Sequence, residues 1–485
     1  MAIPVLTIDQ IRLWEKTAWE SGISQHEVIQ MAGSAVAEQA MKLTKPGDSI
    51  IILAGKGHNG DDARLAGSHI SDRKVTSLNI FDPEFSIHNL DSCLTLNPDL
   101  LIDGLFGIGL NRQLAAPWLQ IIDRINNANI PILAVDVPSG LNADTGETFG
   151  SAVRANCTVT MGAVKRGFLN PKSSEFTGKI IVADQIGLPL LYSTQRNKTK
   201  WNITNTNKTI QCDLAWLTES DFRQIRPDRP LNSHKGTFGH LFIVAGSFGF
   251  HGASVLAAKG ASRARPGLVT LMVQPEVYIP VAAQLQSVMV CSWQGKITIP
   301  ESATAILIGP GLADPNIPEN FKQQVIQLWK ESPLPVIVDA SALDWLKPGR
   351  CKSIAPRVIT PHPGEAARML NMSVAEIQAD RPLTVRKLST RFSDCYVVLK
   401  GYLTLIGKNK GVIYVNPTGN PNLAQGGSGD LLAGFIAGLL AQPQLQKNNI
   451  QESIAYAVWA HGLAADKLEL IKPNWTIDEL ANELI

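Results

Sequence analysis

Ser49-Ile-Ile-Ile-Leu-Ala-Gly-Lys-Gly-His-Asn-Gly-Asp-Asp62 is the stretch on which the fold turns. A run of apolar residues leads straight into Gly55-x-Gly57-x-x-Gly60, and a helical pattern follows. Continuous apolar strands are those covered on both faces, as parallel strands are. G-x-G-x-x-G between such a strand and a helix is the turn by which dinucleotide folds bring backbone close to a pyrophosphate. The glycines alone weigh little, because tight strand-to-helix turns need them on backbone grounds. The other loop residues add chemistry: Asn59, Asp61 and Asp62 offer oxygens that suit a cation better than a bare phosphate. The acidic residue that reads a ribose is expected about 20 residues on. Asp82, 27 residues beyond Gly55, fits that spacing loosely.

The same grammar continues outward. Apolar runs at 75–81, 100–103, 130–136, 157–162 and 180–183 alternate with helical spacing such as that at 116–127. This predicts a doubly wound α/β sheet. The stretch 192–211 is polar and aperiodic and reads as a linker or surface insertion. Runs resume at 240–245, 268–273, 288–292, 305–308, 336–339, 358–360, 396–400, 403–406 and 412–415, and helical patterns close the chain at 429–440 and 454–468. One core stops growing at roughly 250–300 residues. The 485 residues therefore predict two α/β domains, 1–215 and 216–485.

Composition narrows the partners. A net charge of +2 leaves no electrostatic footprint for nucleic acid or an anionic membrane. The longest apolar run, 431–441, falls far short of the roughly 20 residues that span a bilayer. The first residues lack the basic and apolar regions of a signal peptide. Cys93, Cys157, Cys212, Cys291, Cys351 and Cys395 are widely spaced and form no C-x-x-C pair. They read as reduced thiols of a cytoplasmic protein.

Three more strand ends in the first domain carry chemistry: Asp103-Gly-Leu-Phe-Gly-Ile-Gly-Leu-Asn-Arg112, Asp136-Val-Pro-Ser-Gly-Leu141 and Met161-Gly-Ala-Val-Lys165. Ligands of open α/β sheets bind outside the carboxyl ends of the strands, where these segments converge. Asn59, Asp103 and Ser139 supply oxygen ligands for a hard cation, and Asp136 with Lys165 supplies acid–base chemistry. Taken singly, each also reads as a cap or turn residue.

These motifs resemble the NAD(P)H-hydrate epimerase family, with its G-x-G-N-N-G-G-D, D-x-L-x-G-x-G and D-x-P-S-G-L segments and a late lysine. The resemblance spans roughly 1–215. It implies that Asn59, Asp103 and Ser139 hold a potassium ion. It also implies that His58, Asn59, Gly60, Asp61 and Asp62, then Gly107, Ile108, Gly109, Leu110, Asn111 and Arg112, and Asp136 contact a hydrated nicotinamide nucleotide. His58, Asp61 and Ala63 depart from the pattern, and Asp61 sets a carboxylate where the pattern has glycine.

The second domain holds the strongest signal, Asn416-Pro-Thr-Gly-Asn-Pro-Asn-Leu-Ala-Gln-Gly-Gly-Ser-Gly-Asp430 ahead of an apolar helix. Amides of Gly427, Ser428 and Gly429 beside the positive end of that helix form a phosphate cradle that needs no lysine. Asp430 in its first turn is placed to take a proton from a hydroxyl attacking phosphorus. Walker A and protein-kinase signatures are absent. The turn resembles the ribokinase-like fold. His234-Lys-Gly-Thr-Phe-Gly-His-Leu241, Gly246-Ser-Phe-Gly-Phe-His-Gly-Ala-Ser254, Gly309-Pro-Gly-Leu312, Thr360-Pro-His-Pro-Gly-Glu365 and Val398-Leu-Lys-Gly401 narrow it. Together they resemble ADP-dependent NAD(P)H-hydrate dehydratases over 217–485. That resemblance implies a hydrate pocket lined by Ala253, Gly311, His362 and Asp430. It implies a nucleotide site of Lys400, Gly401, Tyr402, Leu403, Thr404 and Gly429.

Joined, the resemblances imply a bifunctional repair enzyme. One domain interconverts the R and S hydrates of NADH and NADPH (NADHX and NADPHX). The other dehydrates the S form with ADP, releasing AMP and phosphate. Potassium in the first domain and magnesium in the second are the implied ions, and a homo-oligomer is left open. Two alternatives stand at this point. The second domain reads also as a small-molecule kinase, and the first as a degenerate nucleotide-binding or scaffold module, which Asp61 favours.

Overall fold

The computed structural model describes residues 2–192, 200–204, 206–223, 225, 229–447 and 449–484. The chain forms two compact units, Ile3–Ala215 and Trp216–Ile485, the latter also taking in Met1–Ala2. No helix among the described residues is long and apolar enough to cross a membrane.

In the first unit, β1 (Ile3–Leu6) leads to helices α1 (Ile8–Glu20) and α2 (Gln25–Leu43). Then come β2 (Ser49–Ala54), α3 (His58–His69), β3 (Lys74–Asn79), α4 (Pro83–Leu94), β4 (Leu100–Gly104), α5 (Ala116–Asn127) and β5 (Ile132–Val135). β6 (Cys157–Met161), β7 (Val164–Lys165), the single turn α6 (Ser174–Thr177) and β8 (Lys179–Ala183) complete the α/β part. The main sheet has order β3-β2-β4-β5-β6-β8 and every pairing is parallel. Its β2 shows why an unbroken apolar run is needed. Ile50, Ile52 and Ala54 join a core with Val36, Ala37 and Ala63, whereas Ile51 and Leu53 join one with Leu90 and Ile121. Successive residues feed opposite faces, and both faces are covered.

Expected strand ends shift where the backbone turns. The run 130–136 yields only Ile132–Val135, because Asp136 has φ of +61° and leaves the strand. The stretch 192–211 is not simply a linker. β9 (Leu191–Tyr192), β10 (Lys200–Ile203) and β11 (Thr209–Gln211) form a small antiparallel sheet, and residues 193–199 and 205 lie outside those described. Trp201 and Ile210, directly paired and buried, give that sheet the apolar side its polar sequence hides.

β12 (Leu214–Trp216) lies at the boundary. The second unit follows with β13 (His240–Val244), α7 (His251–Arg263), β14 (Leu268–Val273), α8 (Tyr278–Ala282), β15 (Met289–Ser292), β16 (Ala305–Ile308), α9 (Glu319–Glu331) and β17 (Val336–Val338). Then come β18 (Arg357–Ile359), α10 (Pro363–Leu370), α11 (Val374–Ala379), α12 (Arg381–Arg391), β19 (Tyr396–Leu399), β20 (Leu405–Gly407) and β21 (Ile413–Val415). The last helices are α13 (Ser428–Leu440), α14 (Pro443–Lys447), α15 (Ile450–Ile471) and α16 (Ile477–Glu483). The strands run β15-β14-β13-β16-β17-β18-β19-β20-β21, parallel as far as β19 and antiparallel beyond it. The run expected at 403–406 starts at Leu405 instead, since Leu403 sits at φ +48° within the turn. α13 packs so closely on α7 that a Cβ on Gly434 would lie 1.9 Å from the Ala257 carbonyl oxygen.

Candidate active sites

In the first unit the glycine turn is a steric requirement. A Cβ on Gly55 would stand 2.0 Å from the Leu105 oxygen, and one on Gly60 would stand 2.1 Å from the Gly55 oxygen. Gly57, at φ +86°, precedes α3 without a side-chain cap, so the first amides of that helix are left for a ligand or water. Asp61 lies in this first turn and its Oδ1 accepts from Arg64 Nη2 at 2.7 Å. Arg64 Nη1 donates to the Gly55 carbonyl at 3.1 Å and to Asn79 Oδ1 at 3.0 Å. The carboxylate foreign to the family pattern therefore has its charge matched locally.

The expected cation ligands converge. Ser139 Oγ donates to Asp103 Oδ1 at 2.6 Å and the Ser139 amide to Asp103 Oδ2 at 2.8 Å. Asn59 Nδ2 donates to the Phe106 carbonyl at 3.0 Å, and the Phe106 amide donates to Ser139 Oγ at 2.9 Å. Asp103 is fully buried, and that burial pushes its carboxyl up to about 6 against the pull of those hydrogen bonds.

Asp136 and Lys165 also meet. Lys165, almost wholly buried, pairs with Asp136 Oδ1 and donates to the Met161 carbonyl at 3.1 Å. The Met161 amide donates to the same Oδ1 at 2.9 Å. A positive φ at a non-glycine residue is a costly backbone state, held here by a bond from the Asp136 amide to the Val159 carbonyl at 2.8 Å. Asp62 turns inward, 8% exposed, with no donor to Oδ1. Burial, then the charges of Asp136, Asp61 and Glu15, raise it to about 8. His58 bonds Gln25 Nε2 through its Nε2 at 3.0 Å. Gly107, Ile108, Gly109, Leu110, Asn111 and Arg112 form a half-buried to exposed rim, and Gly107 passes against Asn59. Glu15 on α1 joins the cluster unannounced by the sequence. Burial, and next the Asp136 charge, raise its carboxyl.

In the second unit Gly427, at φ +96°, opens α13 without a side-chain cap, and Asp430 stands in the first turn. Lys400 Nζ reaches to 3.2 Å from where a Gly429 Cβ would be, which brings the lysine to the glycine turn. It pairs with Asp339 Oδ1 at 2.8 Å and lies 4.0 Å from Glu365 Oε2. Burial, then the Asp339 charge, push Asp430 up to about 7, with Lys400 opposing. Asp339 and Glu365 were not read as site residues. Asp339 ends a strand, the position that could have marked it.

Gly311 and Ala253 are neighbours, with a Gly311 Cβ placed 3.0 Å from that of Ala253. His362 first serves as a helix cap: its Nδ1 accepts from the Gly364 amide at 3.0 Å, and Glu365 Oε2 accepts from the His362 amide at 2.7 Å. Gly401, Tyr402, Leu403 and Thr404 make the turn between β19 and β20, closed by Thr404 Oγ1 on the Gly401 carbonyl at 3.0 Å. α15 carries the arm that leads to the glycine turn. Thr418 Oγ1 donates to the Trp459 carbonyl at 2.8 Å, the Gly419 amide to Asp466 Oδ2 at 2.9 Å, and Asn422 Nδ2 to Glu469 Oε2 at 2.5 Å. His461 on the same helix is buried, and burial lowers it to about 4, so it is neutral.

A family model described as NAD(P)H-hydrate dehydratase matches residues 241–484. A second, described as YjeF-related protein N-terminus, matches 76–167. The bifunctional NAD(P)H-hydrate repair enzyme Nnr of Coxiella burnetii is 33% identical over 94% of this chain and 93% of its own. The chain belongs to the bifunctional NAD(P)H-hydrate repair enzymes. The Escherichia coli K12 enzyme of the same name is 32% identical over 95% of this chain and 88% of its own. The crystal structure of the ADP/ATP-dependent NAD(P)H-hydrate dehydratase from Bacillus subtilis, co-crystallised with ATP/Mg2+, is 32% identical. It covers 53% of this chain and 92% of its own, with a TM-score of 0.48. The turns after β2 and before α13 fall in different units.

Proposed function

We propose that this chain repairs hydrated nicotinamide nucleotides, its residues 1–215 interconverting R- and S-NAD(P)HX and its residues 216–485 dehydrating the S form with ADP. The observation that carries the reading is Asp430, a half-buried carboxyl set near neutrality at the mouth of an uncapped glycine turn beside Lys400. As the ring hydroxyl of the S hydrate attacks the β-phosphorus of ADP, Asp430 takes its proton and the bond to AMP breaks. The Gly427 and Gly429 amides and Lys400 stabilise the charge on the transferring group, while the Ser428 amide holds the turn by donating to the Gln425 carbonyl at 3.3 Å. The phosphate then leaves with the former hydroxyl oxygen and the C–O electron pair. Loss of a proton from the adjacent ring carbon restores the double bond. Hydroxide would leave poorly and phosphate leaves well, which is why a kinase-like site serves a dehydration. The small-molecule kinase, open on sequence alone, gives way to this reading.

In residues 1–215, Asp136 held by Lys165 is the base, and His58 through Asp62 with Gly107 through Arg112 receive the nucleotide. Asn59, Asp103 and Ser139 offer side-chain oxygens, and the buried Asp103 carboxyl has no basic partner among the described residues, a donor set suited to potassium. Asp339, Glu365 and Asp430 around one lysine leave negative charge in excess, which suits a magnesium ion arriving with ADP. Each ion supplies positive charge for phosphates that the chain itself barely provides. Ala253, Gly311 and His362 line the hydrate pocket, and Lys400 through Thr404 hold the adenine nucleotide.

The test adds ADP and purified S-NADHX to the protein and follows the absorbance of the reduced ring together with free phosphate. Equal amounts of NADH and phosphate are expected. A phosphorylated product that persists contradicts the reading. So does full activity of Asp430→Asn.

A further inference from the structure

A dinucleotide whose reacting ring lies at Asp136 must extend somewhere, and strand order says where. β3, β2, β4 and β5 lie side by side in that order. Asp136 follows β5, and the glycine turn follows β2. With the ring at Asp136 and the phosphates at the turn, the adenosine half passes beyond β2 and over the end of β3.

That end is built. Arg64 reaches from α3 to Asn79 Oδ1, on the last residue of β3, at 3.0 Å. Its guanidinium carbon lies 5.8 Å from the ring centre of half-exposed Phe81. Asp61 Oδ1 takes Arg64 Nη2 at 2.7 Å, and the Asp61 side chain is 44% exposed. Among the described residues Asp61 Oδ2 has no donor. Both Arg64 Nη atoms are occupied, by Gly55, Asn79 and Asp61, and its charge is matched. The open feature is thus a carboxylate oxygen on one partner of Arg64, whose guanidinium also lies over the ring of Phe81. A flat base suits the face. In dinucleotide folds a carboxylate accepts from the ribose 2′-hydroxyl, whereas a 2′-phosphate calls for an unpaired arginine. Asp61, in the first turn of α3, is tied to the end of β3 through Arg64.

We infer that Asp61, oriented by Arg64 beside Phe81, reads the adenosine ribose of the hydrate and makes the first unit select NADHX over NADPHX. This rests on reading that unit as the epimerase. Two negative groups meet only if a 2′-phosphate enters, so NADHX gains from the carboxylate and NADPHX loses.

The test compares the full chain with Asp61→Asn in two ways. Epimerisation of R-NADHX and R-NADPHX gives the ratio of kcat/KM values for the two hydrates. Calorimetric titration with NADH and with NADPH gives affinities that need no turnover, and the change on substitution isolates this site from the one at Asp430. The wild type is expected to favour the form without the 2′-phosphate, and Asp61→Asn to narrow that preference by about tenfold or more in both measurements. A wild type indifferent to the 2′-phosphate, or a preference that Asp61→Asn leaves intact, overturns the inference. If neither hydrate is epimerised, the proposed function of this unit fails, while the titrations still decide the role of Asp61.

Discussion

Asp62 is a buried carboxyl and Asp430 a half-buried one, and their neighbours give them different work. Asp430 has Lys400 opposing its burial and settles at about 7, where a base can both hold and release a proton. Dehydration that needs ionised Asp430 should rise with pH through about 7 and then level, as a pH–rate profile of kcat/KM will show. Asp430→Asn should lower that rate by about 10²–10⁴-fold, the span of a general base. Asp62 has no donor on Oδ1 and sits at about 8, far above its ordinary 3.8. The unfolded chain therefore gives up that proton first. Its contribution to stability is complete below 3.8 and is lost as pH rises through about 8. Asp62→Asn should melt above the wild type at pH beyond that range and lose the advantage in acid. Thermal melts across pH settle this, and an unchanged difference would contradict the burial of an acid there.

At the scale of elements, the phosphate turn is only as rigid as the helix that templates it. Asp466 on α15 accepts from both the Gly419 amide and Asn420 Nδ2. Asp466→Ala removes a charged acceptor, and bonds to charged groups are worth about 1.5–3 kcal/mol. The KM for ADP should rise roughly tenfold or more, with a smaller effect on KM for the hydrate. Equal rises would point to general loosening instead. The contact of α13 with α7 is a second such dependence. Gly434→Val drives a side chain into the Ala257 carbonyl and should cost about 1–3 kcal/mol of stability, read from denaturant midpoints. Both glycine turns and most parallel strands were legible in sequence, because backbone sterics and burial on two faces write directly into residue types. Glu15 and His461 were not: each comes from an element remote from the motif it serves, and only packing brings it in. Asp339 at a strand end and Glu365 within the 360–365 turn carried a positional signal but no chemistry distinct from a cap. The small sheet β9–β11 escaped because its buried Trp201 and Ile210 are isolated among polar residues. The Asp61–Arg64 pair is legible from its i, i+3 spacing, which puts both side chains on one face of α3.

At the scale of the whole molecule, a net charge of +2 must accommodate two polyanionic ligands. In the proposed function, uncapped helix starts before α3 and α13, with Lys400 and the proposed cations, do this without a basic surface. With the two centres in separate units, the two reactions should be separable. Asp430→Asn should still bring R- and S-NADHX to equilibrium, and Asp136→Asn should still dehydrate the S form. The most direct measurement gives the intact chain R-NADHX with ADP and follows NADH and phosphate to completion. The account predicts full recovery of NADH with one phosphate released per NADH, slower than from S-NADHX and abolished by Asp136→Asn. R-NADHX that persists while S-NADHX is consumed would contradict it.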